Sequence, residues 1–155
     1  MDWITSDIAV GNVEDALALR AAEAAEVDSV LCLSGFPTLS YIADLRWTGV
    51  PMVDGPGNDP GLFLQALHVI QSALESGRRI LVHCMEGRSR SVLVVSLHLA
   101  ITQNVPLDEA IRMVEERRSL AAVDPGLLNS LPLAWRESPA EAIRSHGLAL
   151  TAGSV

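Results

Sequence analysis

The chain has few cysteines and no long apolar run, and each shortage excludes a class of protein. Two cysteines in 155 residues cannot form the disulfide framework of a small secreted domain. No apolar run reaches the roughly 18 residues that cross a membrane, and Met1-Asp2-Trp3 is not the basic start of a signal peptide. We therefore expect a cytoplasmic protein in a reducing compartment, with no membrane partner.

Positive charge is also scarce, with 11 basic against 19 acidic residues and a formal net charge of −8. Binding to nucleic acid requires clustered Lys and Arg that displace counterions from the phosphates, so we expect no nucleic-acid partner. The length of 155 residues and the hydrophobic content of 49% suffice for one core and are too small for two ordinary domains. We expect a monomer with one folded domain.

Helical patterns alternate with short apolar and β-branched runs along the chain. Strands are predicted at 28–33, 47–53 and 79–82, and helices at 14–25, 41–45, 62–74, 91–102, 107–118 and 127–135. This alternation predicts an α/β fold whose central, mostly parallel sheet is flanked by helices. Residues 136–155 have no strong apolar stripe and are predicted to form a C-terminal tail that is helical around 140–144.

The most informative segment lies between the strand at 79–82 and the helix at 91–102. It reads His83-Cys84-Met85-Glu86-Gly87-Arg88-Ser89-Arg90-Ser91. A loop that opens onto a helix N-terminus directs successive backbone N–H groups, here those of Met85 to Arg90, at an anion. The same field should lower the pKa of Cys84 below the roughly 8.5 of a free thiol, which yields a thiolate nucleophile. The planar guanidinium of Arg90 can bind two phosphoryl oxygens at once.

The His-Cys-x5-Arg-Ser pattern resembles the signature of the cysteine-dependent dual-specificity protein phosphatases, within the protein tyrosine phosphatase superfamily. Residues 4–12 and 30–34 are similar to the family's early strands, and 107–118 followed by Asp124-Pro125-Gly126 are similar to its closing helices. The resemblance extends over about residues 3–135. It implies a protein tyrosine phosphatase-like fold with a catalytic domain at 1–135, followed by a tail at 136–155.

A phosphatase of this kind needs a carboxylic acid that protonates the leaving group, and the loop after residue 53 has two candidates. Asp54 directly follows the predicted strand, thirty residues before Cys84, and matches the family's acid position. Asp59 precedes Pro60 and Gly61 at a predicted helix start, which is typical of an N-cap. We favour Asp54 as the acid.

The resemblance also assigns roles to residues beside the nucleophile. Ser91 can donate a hydrogen bond to the Cys84 sulfur and so help the thiolate leave, although a helix-capping hydroxyl is the alternative. His83 is expected to fix the loop by hydrogen bonding. Some relatives have a partner cysteine on the strand that contains Cys32, so Cys32 is either a redox partner of Cys84 or a small core residue.

The implied activity is hydrolysis of phosphotyrosine and phosphoserine/threonine on proteins through a phosphocysteine intermediate, with no cofactor and no metal. The histidines His68, His98 and His146 do not lie at the spacing of metal ligands. Aromatic content is only 4%, which predicts a shallow cleft. Phe36 and Tyr41 are candidates for its walls, although core packing is the more usual role of such residues.

Three alternatives remain open from sequence. A phosphoinositide phosphatase of the same fold would be expected to have more basic residues in the loop, whereas here Glu86 opposes the single extra Arg88. A catalytically silent phospho-binding module, or a sulfur-transfer domain that carries a persulfide on Cys84, would have no use for the acid Asp54. Protein or small phosphomonoesters are therefore the predicted substrates.

Overall fold

The computed structural model describes residues 1–19, 26–35 and 45–150. Its strands are β1 (Asp2–Trp3), β2 (Ile8–Gly11), β3 (Ser29–Cys32), β4 (Arg46–Gly49) and β5 (Ile80–His83). Its helices are α1 (Val13–Ala18), α2 (Pro60–Glu75), α3 (Arg90–Gln103), α4 (Leu107–Arg117), α5 (Pro125–Asn129), α6 (Leu133–Glu137) and α7 (Pro139–Arg144). The proposed cleft residues Phe36 and Tyr41, most of the helix predicted at 41–45 and the second half of the helix predicted at 14–25 lie outside the described residues.

The five described strands form one sheet in the order β1-β2-β5-β3-β4. The β1–β2 pair is antiparallel, and β2–β5, β5–β3 and β3–β4 are parallel. The prediction of an α/β fold with a central, mostly parallel sheet flanked by helices is confirmed. Because parallel strands end at the same edge, the segments that follow β2, β3, β4 and β5 all leave from one side of the sheet, with β5 in the middle.

The two faces of the sheet pack against different layers, as the alternation of side chains along a strand requires. On the larger face, Ile80 and Val82 of β5 are fully buried against a cluster that includes Phe63 and Leu67 of α2. On the smaller face, Leu81 packs with a cluster that includes Ala16 of α1. Residues 91–100 of α3 are all buried, since this helix directly follows β5 and is covered by α4 and α7. Among the described helices, none is both long and apolar enough to span a membrane.

Two elements differ from the sequence prediction, one strand and one helix. The strand predicted at 47–53 ends at Gly49, where its pairing with β3 ends opposite Cys32. The amides of Val50 and Met52 still donate to the carbonyls of Cys32 (2.9 Å) and Leu33 (3.0 Å).

The prediction of a single helix at 127–135 is wrong. The structure has two short helices there, α5 and α6. Pro132 is the N-cap of α6, and a proline disfavours helical backbone at the residue before it.

The segment after residue 135 contacts the core. The helix expected around 140–144 is present as α7, and its Ile143 is fully buried in the main hydrophobic cluster. The ring of His146 packs edge-on against Trp135 with centroids 5.4 Å apart. The helix α7 thus packs against α3.

The burial of His98 predicts that the folded chain loses stability in acid. His98 is 1% exposed, neither ring nitrogen has a hydrogen-bond partner among the described residues, and burial lowers its pKa from 6.5 to about 4. The unfolded chain therefore binds a proton on His98 more tightly than the folded chain does. The stability that depends on neutral His98 is complete above pH 6.5 and is lost as the pH falls towards 4. Between pH 7 and 5 the loss is about 2 kcal/mol.

Urea unfolding at the two pH values checks this prediction. His98→Leu should lose about 2 kcal/mol less stability than wild type between pH 7 and 5. The control His68→Leu, at an exposed histidine of α2, should behave like wild type. An unchanged pH dependence in His98→Leu would mean that the acid sensitivity comes from other groups.

Candidate active site

The loop at residues 84–90, here called the phosphate loop, connects β5 to α3 at the edge where the parallel strands end. Cys84 follows β5 directly and is 2% exposed. Ser91, in the first turn of α3, is fully buried, and its Oγ lies 3.3 Å from the Cys84 Sγ. The nucleophile and the serine predicted from the sequence therefore contact each other.

The carbonyls of the phosphate loop are bound from outside the loop. The Val13 amide donates to the Met85 carbonyl (3.2 Å), and the Ala122 amide donates to the Arg88 carbonyl (2.8 Å). In a trans peptide the carbonyl and the following N–H point in opposite directions. Hydrogen bonds that hold carbonyls outward therefore turn the next amides, those of Glu86 and Ser89, towards the inside of the loop, where an anion would bind.

Arg118 supports the loop at its sharpest point. Gly87 has φ +65°, and a Cβ there would lie 2.5 Å from the Arg118 Nη2 and 2.5 Å from the Gly11 carbonyl oxygen. The Arg118 side chain is almost completely buried; its Nε donates to the Gly87 carbonyl (2.5 Å) and its Nη1 forms an ion pair with Asp2 (2.5 Å). Only glycine fits at position 87, because both the backbone conformation and the close approach exclude a side chain.

The surroundings of Cys84 favour the thiolate. Burial by itself would raise the pKa of the Cys84 thiol, but hydrogen bonds from the Ser91 hydroxyl and from the Ser91 and Gly87 amides, with the positive charge of Arg90, lower that pKa below its ordinary value. The direction agrees with the sequence prediction, and the structure adds Ser91 as the foremost stabilising group.

Arg90 is fixed by two carbonyls from neighbouring segments. Its Nη1 donates to the carbonyl of Leu33, which follows β3 (3.3 Å), and to that of Met52, which follows β4 (3.1 Å). The Arg90 Nε is buried and has no hydrogen-bond partner among the described residues. The guanidinium is thus held in place while a buried N–H stays free to donate to an oxyanion.

The two candidate acids occupy different environments. Asp59 is the N-cap of α2, and its carboxylate accepts a hydrogen bond from the Gly61 amide (2.7 Å), which confirms the capping prediction. Asp54 is exposed in the irregular segment after β4. No hydrogen bond to the Asp54 side chain is found within the described residues.

The rim of the loop carries the opposed charges that the sequence predicted. Glu86 and Arg88 are both exposed, and their charged groups lie 3.9 Å apart. The Arg88 Nε also donates to the Leu120 carbonyl (3.2 Å). Arg88 is therefore turned partly towards protein acceptors and does not add a second free cation to the mouth of the site.

Cys32 lies on the other face of the sheet from Cys84. It is paired in register with His83, and along β5 the side chain of His83 alternates with that of Val82, which shares its cluster with Cys84. Burial would raise the pKa of Cys32, but the neighbouring His83 and Ser34 lower it to about 7. This placement counts against a direct Cys32–Cys84 disulfide, and the redox role stays a prediction.

His83 fixes the loop as expected, because its Nδ1 lies 3.2 Å from the Cys84 carbonyl oxygen. Its ring also packs edge-on against Trp47, with centroids 6.1 Å apart. Sequence reasoning missed Arg118, which binds the phosphate loop, and Asn58 and Ser130, which bind the segment that contains Asp54. Their partners are distant in sequence or are backbone atoms, so no local pattern identifies them.

A mostly parallel sheet whose central strand leads into a loop with Cys84 and Arg90, and then into a buried helix, is the arrangement expected of the cysteine-dependent phosphatases. Residues 12–136 match the family model described as dual specificity phosphatase, catalytic domain, and the chain belongs to that family. The family resemblance proposed from the sequence is thereby confirmed.

Two relatives and one solved structure illustrate the similarity. A putative tyrosine-protein phosphatase, R622, from Acanthamoeba polyphaga mimivirus is 41% identical over 85 residues, which cover 54% of this chain and 39% of the relative. Dual specificity protein phosphatase 1B from Arabidopsis thaliana is 26% identical over 129 residues, or 83% of this chain and 77% of the relative. The crystal structure of human DUSP28 superimposes with a TM-score of 0.72 and 23% identity, covering 94% of this chain and 99% of that one. The chain thus spans about two fifths of the mimivirus protein.

The contact between Ser91 and Cys84 predicts how the thiol titrates. Ser91→Ala removes the foremost group that lowers the pKa of Cys84, so that pKa should rise, and alkylation of Cys84 by iodoacetamide should require higher pH than in wild type. Peptide mass spectrometry measures the alkylation of Cys84 separately from that of Cys32. The control Ser96→Ala removes another buried hydroxyl of α3 that has no partner among the described residues, and it should leave the titration unchanged. Identical curves for both variants would contradict the assigned cause.

Proposed function

We propose that the chain hydrolyses phosphomonoesters on proteins, both phosphotyrosine and phosphoserine/threonine, through a phosphocysteine intermediate. The observation that carries this proposal is the position of the Cys84 thiol. It lies at the base of a loop whose carbonyls are held outward, within reach of the Ser91 hydroxyl and beside the positive charge of Arg90. A buried thiolate surrounded by fixed donors is suited to attack an anionic ester.

In the first step the Cys84 thiolate attacks phosphorus, and a new S–P bond forms as the P–O bond to the leaving group breaks. The inward amides and the Arg90 guanidinium bind the three non-bridging oxygens, which hold the charge in the transition state. Asp54 gives its proton to the departing oxygen, so a neutral alcohol or phenol leaves. The exposed position of Asp54 supports this role, because its proton can reach a bound substrate.

In the second step a water molecule attacks phosphorus and the S–P bond breaks. The Asp54 carboxylate now accepts a proton from that water, and inorganic phosphate is the product. The electron pair of the broken bond returns to the Cys84 sulfur. The Ser91 hydroxyl, 3.3 Å away, donates a hydrogen bond that stabilises the departing thiolate.

The rim supports a protein substrate over a phosphoinositide. Arg88 faces Glu86 and donates to the Leu120 carbonyl, which leaves one guanidinium, that of Arg90, directed at the phosphate. A polyphosphorylated headgroup would require further cations at the mouth. A reducing cytoplasmic location suits the enzyme, since a thiolate of lowered pKa is readily oxidised.

The covalent step is tested with Cys84→Ser. We expect hydrolysis of an aryl phosphate, assayed with EDTA present, to fall by a factor on the order of 10³ or more. Phosphate should still raise the melting temperature of the variant, because the loop amides and Arg90 remain. Rapid quenching of wild type should reveal a phosphorylated peptide that contains Cys84. A wild-type enzyme that binds phosphate without turnover would instead identify a silent binding module.

The proton donor is tested with Asp54→Asn. We expect kcat to fall about 10²-fold on a phosphoserine peptide, whose alkoxide leaving group needs a proton. The loss should be much smaller on an aryl phosphate with an acidic phenol. Asp59→Asn is the matched control. It keeps a side-chain oxygen that can cap α2, so stability should change little and there should be no leaving-group-dependent loss of kcat. The reverse pattern would make Asp59 the acid.

A further inference from the structure

A buried asparagine closes the segment that contains Asp54. Residues 53–58 are here called the acid loop. Asn58 is 7% exposed, and its Oδ1 accepts a hydrogen bond from the Val53 amide (2.9 Å). Its Nδ2 donates to the carbonyls of Val53 (2.8 Å) and Gly55 (3.1 Å). One carboxamide thus binds the backbone on both sides of Asp54.

These contacts matter because the Asp54 side chain has no hydrogen bond of its own among the described residues. The position of its carboxyl group is therefore set by the backbone that carries it. A flexible loop would let the acid sample many positions, and fixing it costs conformational entropy in every turnover. A carboxamide that binds the residues before and after Asp54 removes this freedom in advance.

The acid loop also rests on α5. The Asn58 amide donates to the Ser130 Oγ (3.4 Å), and that hydroxyl lies 3.4 Å from the Gly55 carbonyl. A Cβ on Gly126, in α5, would lie 2.8 Å from the Pro56 Cδ. The loop and the helix therefore meet at a contact that leaves no room for a methyl group.

The same helix is bound to the phosphate loop. The Asp124 amide donates to the Ser89 Oγ (2.9 Å), while the Asp124 carboxylate caps α5 by accepting from the Leu127 amide (2.9 Å). The phosphate loop thus contacts the N-cap of α5, and the acid loop contacts Gly126 and the C-cap Ser130 of the same helix. One short helix therefore connects the backbone of the acid loop to that of the phosphate loop.

We propose that Asn58 is a positioning residue that holds the acid loop preformed over the phosphate loop. The inference rests on the proposed function, in which Asp54 is the acid. Asparagine suits the position because its side chain both accepts from the Val53 amide and donates to two carbonyls. Aspartate keeps only the acceptor, and alanine keeps neither.

The first test compares two substrates. Asn58→Ala should lower kcat on a phosphoserine peptide by between about 10-fold and 100-fold, the range expected when a reacting group is displaced by about 1 Å. KM should change little, and kcat on an aryl phosphate with an acidic phenol should stay near wild type. Asn129→Ala removes an exposed carboxamide whose partner is Arg136, and it should leave both rates unchanged.

A double-mutant cycle separates positioning from general damage. If Asn58 acts through Asp54, then Asn58→Ala should cause no further loss in an Asp54→Asn background, so the two losses will not add. Additive losses would overturn the proposal. A loss with Asp54→Asn and none with Asn58→Ala would overturn the positioning role alone. No leaving-group-dependent loss with Asp54→Asn would overturn the acid assignment as well.

Gly126→Ala moves the acid loop without removing any hydrogen-bonding group, and it keeps the test valid if Asn58→Ala fails to fold. Alanine normally stabilises a helix relative to glycine, yet here its methyl group would collide with Pro56. We expect the same selective loss of kcat on the phosphoserine peptide, with the far-ultraviolet circular dichroism retained. Wild-type kcat in folded Gly126→Ala would show that the position of the loop on α5 does not control proton donation.

Discussion

The outward hydrogen bonding of the phosphate-loop carbonyls is the constraint on which the site depends. Donors from three separate segments, Val13, Arg118 and Ala122, bind three of the carbonyls of one short loop. Each of these hydrogen bonds fixes the orientation of one peptide plane, and the fixed planes together direct the following amides towards the inside of the loop. The same arrangement explains why Arg118 is buried, since its guanidinium binds the Gly87 carbonyl. Without the Arg118 guanidinium, the Gly87 carbonyl would be a buried acceptor without a partner.

The surroundings of Cys84 were predictable from sequence, because the elements that form them are local. A strand, a cysteine, five residues, an arginine and a helix lie within 24 consecutive residues, 80–103, and hydrogen bonding and helix geometry fix their arrangement. The N-cap role of Asp59 was predictable for the same reason, since its partner Gly61 is two residues away. The parallel sheet followed from the alternation of strands and helices.

The supports of the site were not predictable, because their partners are distant in sequence. Arg118 contacts Gly87 across 31 positions, and the Asn58 amide contacts Ser130 across 72. An asparagine in a glycine- and proline-rich loop normally indicates a turn, and only the folded chain shows this one to be buried. The face on which Cys32 lies depends on strand register, which a one-residue slip would reverse.

The complete burial of residues 91–100 in α3 has a consequence for how the molecule opens. Amides in a helix covered on all sides exchange with solvent only when the whole domain unfolds, whereas exposed segments open far more often. Arg90 and Ser91 lie in the first turn of that protected helix, while Val53 and Asp54 lie on the surface. Mild denaturant should therefore release the segment around Asp54 before the phosphate loop. In the mechanism proposed above, such partial opening would leave a protein that holds phosphate and does not turn over.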